Sequence, residues 1–219
     1  MECWKKLIVY LSCKIYLLLY FWIFIVVWAT VNYSVPGLFT AGTILPVYMY
    51  IRYVDNRKVV EFLKLDKSRL ISGYLWGSVL SAILITIIAA KIHFQGEGTF
   101  YYQWELKDIL SIVVIASIVE EVFFRGFLMQ KLMESTSFNI ANILVTIFFV
   151  LIHFPSWIAD NLAISDIANG LIYLTGFSWL LGYIFKCSQS LWTPIIMHAT
   201  NNLINLSTIT IQYTSYFSP

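Results

Sequence analysis

The sequence has 219 residues, of which 59% are hydrophobic and 17% aromatic, while only 12% are charged. This apolar fraction lies well above that of an ordinary soluble domain and indicates a polytopic membrane protein. The formal net charge of +2 is too small to indicate a nucleic-acid partner. The three cysteines lack the spacing of a disulfide framework or of a zinc motif. The composition therefore excludes a DNA- or RNA-binding domain and a disulfide-rich secreted domain.

Apolar runs long enough to cross about 30 Å of hydrocarbon as helices follow one another along the chain. We expect about seven spans, with six and eight as the alternatives. They are 15–32, 37–53, 70–90, 109–131, 138–154, 167–186 and 191–210. The second and fifth are shorter than about 20 residues, so they are the spans most prone to tilt or to merge with their flanks. The pattern predicts an all-α, polytopic transmembrane helix bundle in one domain, 1–219, with a motif-bearing core at about 105–210.

Basic residues indicate the orientation of the chain. Three lysines precede the first span, and six basic residues crowd the segment between the second and third spans. They are Lys5, Lys6, Lys14, Arg52, Arg57, Lys58, Lys64, Lys67 and Arg69. The positive-inside rule assigns both clusters to the cytoplasm. The alternation then predicts a multi-pass protein of the cell membrane with its N-terminus in the cytoplasm and its C-terminus outside. The first span is expected to be a retained anchor.

Two glutamates and an arginine interrupt the fourth span in "ASIVEEVFFRGF" (116–127). An ionisable residue at a helix centre costs about 2.5–3.5 kcal/mol, whereas each Leu, Ile, Phe or Val returns only about 0.3–0.6 kcal/mol. Glu121 and Arg125 are four apart, the spacing of an intrahelical ion pair. Glu120 points about 100° away from this pair. The three charges either hold the bundle in register or belong to a functional site.

Two of the three histidines also lie inside apolar spans: His153 in "FFVLIHFPSW" and His198 in "TPIIMHATNN". The third, His93, lies at a helix end and is expected to have no role. Asn202 follows His198 by four residues, so both share a helix face, and its amide adds a neutral hydrogen-bond donor there. The alternative is that the asparagines of this span only join helices. They are Asn201, Asn202 and Asn205.

These groups suit the hydrolysis of a peptide bond without a covalent intermediate. A carboxylate in low-dielectric surroundings becomes a better base for water, one histidine orients that water, and a second histidine with an amide donates to the oxyanion. The motifs of other intramembrane hydrolases are missing. The sequence has no HExxH for a zinc protease and no GxSxG for a serine enzyme. All its aspartates fall in predicted loops or at span edges, which disfavours an aspartyl enzyme.

Three segments, taken in order, resemble the motifs of the CPBP family. This family comprises CAAX prenyl proteases and bacteriocin-processing or self-immunity proteins, and it is also called the Abi family. The motif EExxxR matches Glu120, Glu121 and Arg125; FxxxH matches Phe149 and His153; HxxxN matches His198 and Asn202. Each motif is weak alone, but the ordered set is specific, and the resemblance covers about 120–202.

The resemblance implies an all-helical bundle whose polar residues meet in a membrane cavity open to the cytoplasm. It implies that Glu120 and His153 activate the water and that His198 and Asn202 stabilise the oxyanion. The supporting residues would be Glu121, Arg125 and Phe149. The family is often labelled metalloprotease, and a zinc ion would take Glu120, His153 and His198 as ligands. We prefer a glutamate-type mechanism without a cofactor, because the spacing is not a standard zinc spacing and asparagine is a poor zinc ligand.

The small size and the positive-inside pattern resemble a prokaryotic member of the family. That resemblance implies an intramembrane endopeptidase that matures secreted peptides or gives immunity against a bacteriocin. Its substrate would be a peptide or a membrane protein, and prenylated CAAX substrates are not expected. The alternative is a non-enzymatic membrane scaffold that regulates a partner such as a sensor kinase. A proton-coupled transporter is disfavoured because the chain is short and lacks paired halves.

Overall fold

The computed structural model describes residues 2–33, 37–95 and 105–215 of the chain. All regular secondary structure in these ranges is helical. The all-α class expected from the apolar runs is therefore confirmed. A helix satisfies every backbone hydrogen bond within its own segment, which is what a chain in hydrocarbon requires.

The first half of the chain forms four helices. They are α1 (Glu2–Tyr33), α2 (Leu38–Met49, continued by the π-helical turn Tyr50–Val54), α3 (Val59–Phe62) and α4 (Lys67–Gln95). Gly37 precedes α2 with a φ of 72°, a left-handed conformation that glycine adopts without steric cost. Pro46 lies inside α2 and withholds one backbone donor from the helix.

The second half begins with α5, a helix that alternates between α-helical and π-helical segments. These are Leu106–Asp108 (α), Ile109–Ala116 (π), Ser117–Glu121 (α), Val122–Met129 (π) and Gln130–Met133 (α). The remaining helices are α6 (Phe138–Leu151), α7 (Phe154–Ala159), α8 (Ile164–Ser188) and α9 (Trp192–Ser215). Ser137 caps the start of α6 by accepting a hydrogen bond from the backbone of Ile140.

Three stretches of the described chain are long and apolar enough to cross a membrane: Val59–Ala90, Phe138–Ala159 and Ile164–Ser188. Leu18–Tyr33 is apolar but shorter. Large apolar side chains point outward on these helices, as lipid contact requires; Ile71, for example, is 72% exposed and Ile172 is 76% exposed. The structure thus supports a membrane protein, while the number of spans and the orientation of the termini stay predictions.

The chain divides into two compact units. The first consists of Met1–Leu63 and Val122–Tyr183, and the second of Lys64–Glu121 and Ile184–Pro219. In the first unit, an aromatic cluster fills the space around the π-helical part of α5, with Phe123, Phe124, Phe127 and Phe149 each no more than 1% exposed. In the second unit, α9 packs against α4 and against the Ile109–Glu121 part of α5. The second unit therefore positions the glutamates relative to α9.

Candidate active site

Glu120 and Glu121 occupy the short α-helical segment Ser117–Glu121, which lies between the two π-helical segments of α5. π-helical turns are rare in proteins and are frequent at functional sites, because the extra residue re-aims the neighbouring side chains. The α-helical spacing that predicts an ion pair between Glu121 and Arg125 assumes a regular α-helix beyond Glu121. The chain is π-helical from Val122 onward, so this pair stays a prediction.

Within the second unit, Glu121 contacts the imidazole of His198. Its Oε1 lies 2.8 Å from Nδ1 of His198, and the two side chains are 0% and 5% exposed. A hydrogen bond of this length between a carboxylate and an imidazole is charge-assisted when both groups are ionised. The sequence reasoning placed both residues in the site but gave Glu121 only a supporting role beside Arg125. The structure gives Glu121 a direct contact with a histidine of the site.

Glu120 lies on the other edge of the same imidazole. Its Oε2 is 3.8 Å from Nε2 of His198, and the Glu120 side chain is 13% exposed. This separation is too long for a direct hydrogen bond. Oε2 of Glu120 is buried and has no hydrogen-bond partner in the part of the chain that the structure describes. A buried carboxylate oxygen without a partner costs free energy, so it marks Glu120 as a candidate for function.

Asn202 joins α9 to α5 within the second unit. Its Nδ2 donates to the backbone carbonyl of Ile112 and to the hydroxyl of Ser117, both at 3.0 Å. Both amide hydrogens are thus directed at protein acceptors in this structure. Ser117 is fully buried and lies one turn before the glutamates. Sequence reasoning missed Ser117, although its position three residues before Glu120 puts it on the same stretch of helix.

In the first unit, Arg125 contacts Ser178 and Phe149. It is 0% exposed, and its Nη2 donates to the carbonyl oxygen of Ser178 at 2.8 Å and to the Ser178 hydroxyl at 2.7 Å. Its guanidinium also lies 4.8 Å from the centre of the Phe149 ring, a cation–π arrangement. Phe149, the first residue of the FxxxH motif, therefore packs against the arginine of the first motif.

His153 lies where α6 ends. Its backbone N–H donates to the carbonyl of Val150 at 3.1 Å, and its Nδ1 lies 2.8 Å from the carbonyl oxygen of Phe149. Because a carbonyl only accepts, Nδ1 carries the hydrogen, which leaves Nε2 of a neutral imidazole as an acceptor. The FxxxH spacing thus places the histidine ring on a backbone carbonyl in the last turn of α6.

The residues of the three motifs fall into two groups. The second unit holds Glu120, Glu121, His198 and Asn202 in one contact network, and the first unit links Arg125, Phe149 and His153. The side chain of His93 lies outside the described part of the chain, so its expected lack of a role stays a prediction.

A zinc ion in a catalytic site takes three protein ligands. Among the described residues, no group of three or more His, Cys, Asp or Glu side chains is placed to hold a metal ion. In the second unit, Nδ1 of His198 contacts Glu121, while Nε2 faces Glu120. Zinc ligation by Glu120, His153 and His198 stays a prediction, and we derive no step through a metal.

The fold and the site define a helical membrane protein with buried carboxylates beside an imidazole. Residues 102–204 match the family model of Type II CAAX prenyl endopeptidases, Rce1-like. This region contains the three motifs, so the predicted resemblance is confirmed for residues 102–204.

Two curated proteins resemble the chain at low identity. CAAX prenyl protease 2 of Methanococcus maripaludis is 28% identical over 137 residues, which cover 57% of this chain and 50% of that protein. The uncharacterized protein YyaK of Bacillus subtilis is 28% identical over 195 residues, which cover 84% of this chain and 60% of that protein. The match thus spans half of the first relative and somewhat more of the second. Comparison with solved structures gives no match.

Proposed function

We propose that this chain is an intramembrane endopeptidase that hydrolyses a peptide bond with water activated by Glu120. The observation that carries the proposal is the buried Oε2 of Glu120, which has no partner among the described residues and lies 3.8 Å from Nε2 of His198. The 3.8 Å between these two atoms is short enough for one water oxygen to lie within hydrogen-bond distance of both, which is the reach that general-base catalysis needs. The family match of residues 102–204 supports the same class of reaction.

The contact between Glu121 and His198 supports an oxyanion role for His198. Nδ1 of His198 and the carboxylate of Glu121 share one proton in their hydrogen bond. Nε2 needs a second proton to donate a hydrogen bond, so the pair then holds two protons and has a net charge of zero. A neutral pair is also the state that low-dielectric surroundings favour, because an isolated charge there is costly. Glu121 therefore stabilises the form of His198 that donates to a developing oxyanion.

The proposed reaction balances without a cofactor. Glu120 takes one proton from water as the water oxygen bonds to the scissile carbonyl carbon, and the carbonyl oxygen becomes an oxyanion that accepts from Nε2–H of His198. Glu120 then returns the proton to the amide nitrogen, the C–N bond breaks, and a carboxylic acid and an amine leave. His153 is proposed as a water-activating residue on the strength of the FxxxH motif, through its acceptor Nε2.

Asn202 is proposed as the second oxyanion donor on the strength of the HxxxN motif. Its amide hydrogens both lie on acceptors of α5, so it must release one of them to donate to substrate. In this structure, Asn202 links α9 to α5 next to the glutamates.

We propose a peptide or a membrane protein as the substrate, in the maturation of a secreted peptide or in immunity against a bacteriocin. The family description and the Methanococcus relative name a CAAX prenyl protease. The two substrate classes differ in chemistry, because a prenyl group adds an apolar chain to a cysteine near the peptide C-terminus.

The first test is cleavage by purified protein in vesicles. Two quenched fluorescent peptides serve as probes, one unmodified and one farnesylated with a CAAX end, each with and without a zinc chelator. We expect Glu120→Gln to lower kcat/KM by at least about 10²-fold with unchanged thermal stability, because general-base catalysis contributes that much.

Full cleavage by folded Glu120→Gln would refute the proposed base. Loss of wild-type activity with chelator would refute the metal-free mechanism. Cleavage of neither probe by wild type, with both probes bound, would favour a scaffold over an enzyme.

A further inference from the structure

The face of α4 that packs on α9 is made of small residues. Gly73, Gly77 and Ser81 follow one another at intervals of four and therefore share one side of the helix. A Cβ atom added to Gly77 would lie 2.9 Å from Cβ of Ile196, and one added to Gly73 would lie 2.8 Å from Cβ of Trp192. The GxxxG spacing thus lets two helices of the same chain approach closely, as it does in other membrane proteins.

Polar contacts fix the axial position of α9 along α4. The hydroxyls of Thr200 and Ser81 are 2.9 Å apart, and the hydroxyl of Thr193 donates to the carbonyl of Gly73 at 3.3 Å. Nearer the start of α4, the Ser190 hydroxyl donates to the carbonyl of Arg69 at 3.0 Å. The glycines therefore set the distance between the two helices, and the hydroxyls set their axial register.

His198 projects from the opposite side of α9. His198 lies two positions after Ile196, which corresponds to about 200° around an α-helix. Asn202 follows His198 on that same side and contacts α5. In the second unit, α9 is thus held between α4 on one side and the glutamate-bearing part of α5 on the other. A displacement of the α9 backbone at Ile196 would therefore also displace His198, because both residues lie on this helix.

We propose that α4 is a positioning element of the active site, with Gly77 and the Ser81–Thr200 hydrogen bond fixing His198 against Glu121 and Glu120. This inference rests on the proposed function of the same site, and it extends that site to a helix that lies before the matched region 102–204. None of the α4 residues touches the reacting atoms. They act by holding the 2.8 Å contact between Glu121 and His198 and the 3.8 Å separation between Glu120 and His198.

The first experiment uses Gly77→Ala with Gly176→Ala as its matched control. Gly176 lies in α8, and a Cβ atom there meets nothing within 4 Å. Ile196 presents its Cβ rather than a flexible side-chain end, so Gly77→Ala must move the backbone of α9. We expect kcat/KM for a quenched fluorescent peptide to fall by about tenfold or more, since a displacement of about 1 Å in an active site costs up to 10²-fold. Gly176→Ala should stay within about twofold, as substitutions away from packed features do.

The second readout is independent of catalysis. The ¹⁵N resonances of the His198 ring report the proton at Nδ1 and its hydrogen bond, and the variant His198→Gln assigns them. We expect Gly77→Ala to shift the Nδ1 signal, because the contact with Glu121 lengthens. Gly176→Ala should leave this signal unchanged.

A second pair of variants covers the case in which Gly77→Ala does not fold. Thr200→Val keeps the volume of the side chain but removes its hydroxyl, whereas Thr200→Ser keeps the hydroxyl. We expect Thr200→Val to shift the His198 signal and lower kcat/KM, and Thr200→Ser to restore both. A His198 signal identical to wild type in Thr200→Val and in folded Gly77→Ala would overturn the proposal. Full activity of Glu120→Gln would instead refute the proposed base, while the His198 signal still decides whether α4 positions the ring.

Discussion

The two histidines of the motifs are held by chemically different acceptors in the two units. In the second unit, Nδ1 of His198 lies 2.8 Å from a carboxylate oxygen of Glu121. In the first unit, Nδ1 of His153 lies 2.8 Å from the backbone carbonyl of Phe149. A carboxylate stabilises a positive imidazolium, whereas a neutral carbonyl only fixes a tautomer. The proposed roles use this difference, with His198 as a donor and His153 as an acceptor.

Arg125 of the first unit is buried against the Ser178 carbonyl, the Ser178 hydroxyl and the Phe149 ring. The second unit places two carboxylates around one imidazole. We therefore expect the carboxylate contact of His198 to have the larger effect on the proposed reaction, and the contacts of His153 and Arg125 in the first unit to have smaller ones. Three substitutions test this order, from the largest expected effect to the smallest.

The largest effect is expected for Glu121→Gln. Glutamine keeps the volume and the acceptor oxygen but removes the negative charge, so the pair no longer favours a protonated Nε2 on His198. Losing one oxyanion donor costs about 10²–10³-fold in rate, and we expect kcat/KM to fall by that much while the protein stays folded. Peptide cleavage and a thermal melt of the same sample in vesicles or detergent check the two expectations.

His198→Gln and the double variant with Glu121→Gln are the controls. Residues that act as one unit give strongly non-additive losses. The double variant should therefore be no slower than His198→Gln alone. A wild-type rate for Glu121→Gln, or a fully additive double variant, would contradict the idea that the carboxylate works through the imidazole. Glu121→Ala is expected to lower yield as well, because it leaves buried partners without the carboxylate.

A smaller effect is expected for His153→Gln. The glutamine side chain still offers an acceptor oxygen, but it lacks the rigid ring that the Phe149 carbonyl orients. We expect a fall in kcat/KM of about 10²-fold, at the lower end of what a positioned acid or base contributes. The matched control is His93→Gln, which the sequence predicts to be neutral.

Ring ¹⁵N spectra give an independent check of the same comparison. His153 should show a hydrogen-bonded Nδ1–H, because the Phe149 carbonyl only accepts, whereas Nδ1 of His198 should show the contact with a carboxylate. Two protonated nitrogens on His153 would remove the contrast between the histidines.

The sequence was enough to predict the helical class and to single out the ionisable residues inside apolar runs. Long apolar runs leave few alternatives to helices, and charges inside such runs are costly enough to stand out. The contact between Glu121 and His198 was not predictable in the same way, because 77 positions separate the two residues. Local spacing instead pointed from Glu121 to Arg125, the nearest residue of opposite charge.

The local backbone at the site was also beyond sequence reasoning. Nothing in the apolar residues of Ile109–Ala116 or Val122–Met129 distinguishes a π-helix from an α-helix. The contacts of Phe149 likewise could not be read from the motif, because its ring meets Arg125 while its carbonyl meets the ring of His153. Pro155 lies in the first turn of α7, a position that proline tolerates in a helix.

The smallest effect is expected for Ser178→Ala, which removes one of the two acceptors that hold Arg125. A hydrogen bond to a charged group contributes about 1.5–3 kcal/mol, and the backbone carbonyl of Ser178 remains to compensate part of the loss. We therefore expect a lower midpoint of thermal unfolding with kcat/KM within a few-fold of wild type. Ser135→Ala is the matched control, because the Ser135 hydroxyl is exposed and makes only a local contact at 3.3 Å. If Ser178→Ala abolished cleavage without changing stability, Arg125 would belong to the chemistry, and the expected order of effects would be wrong.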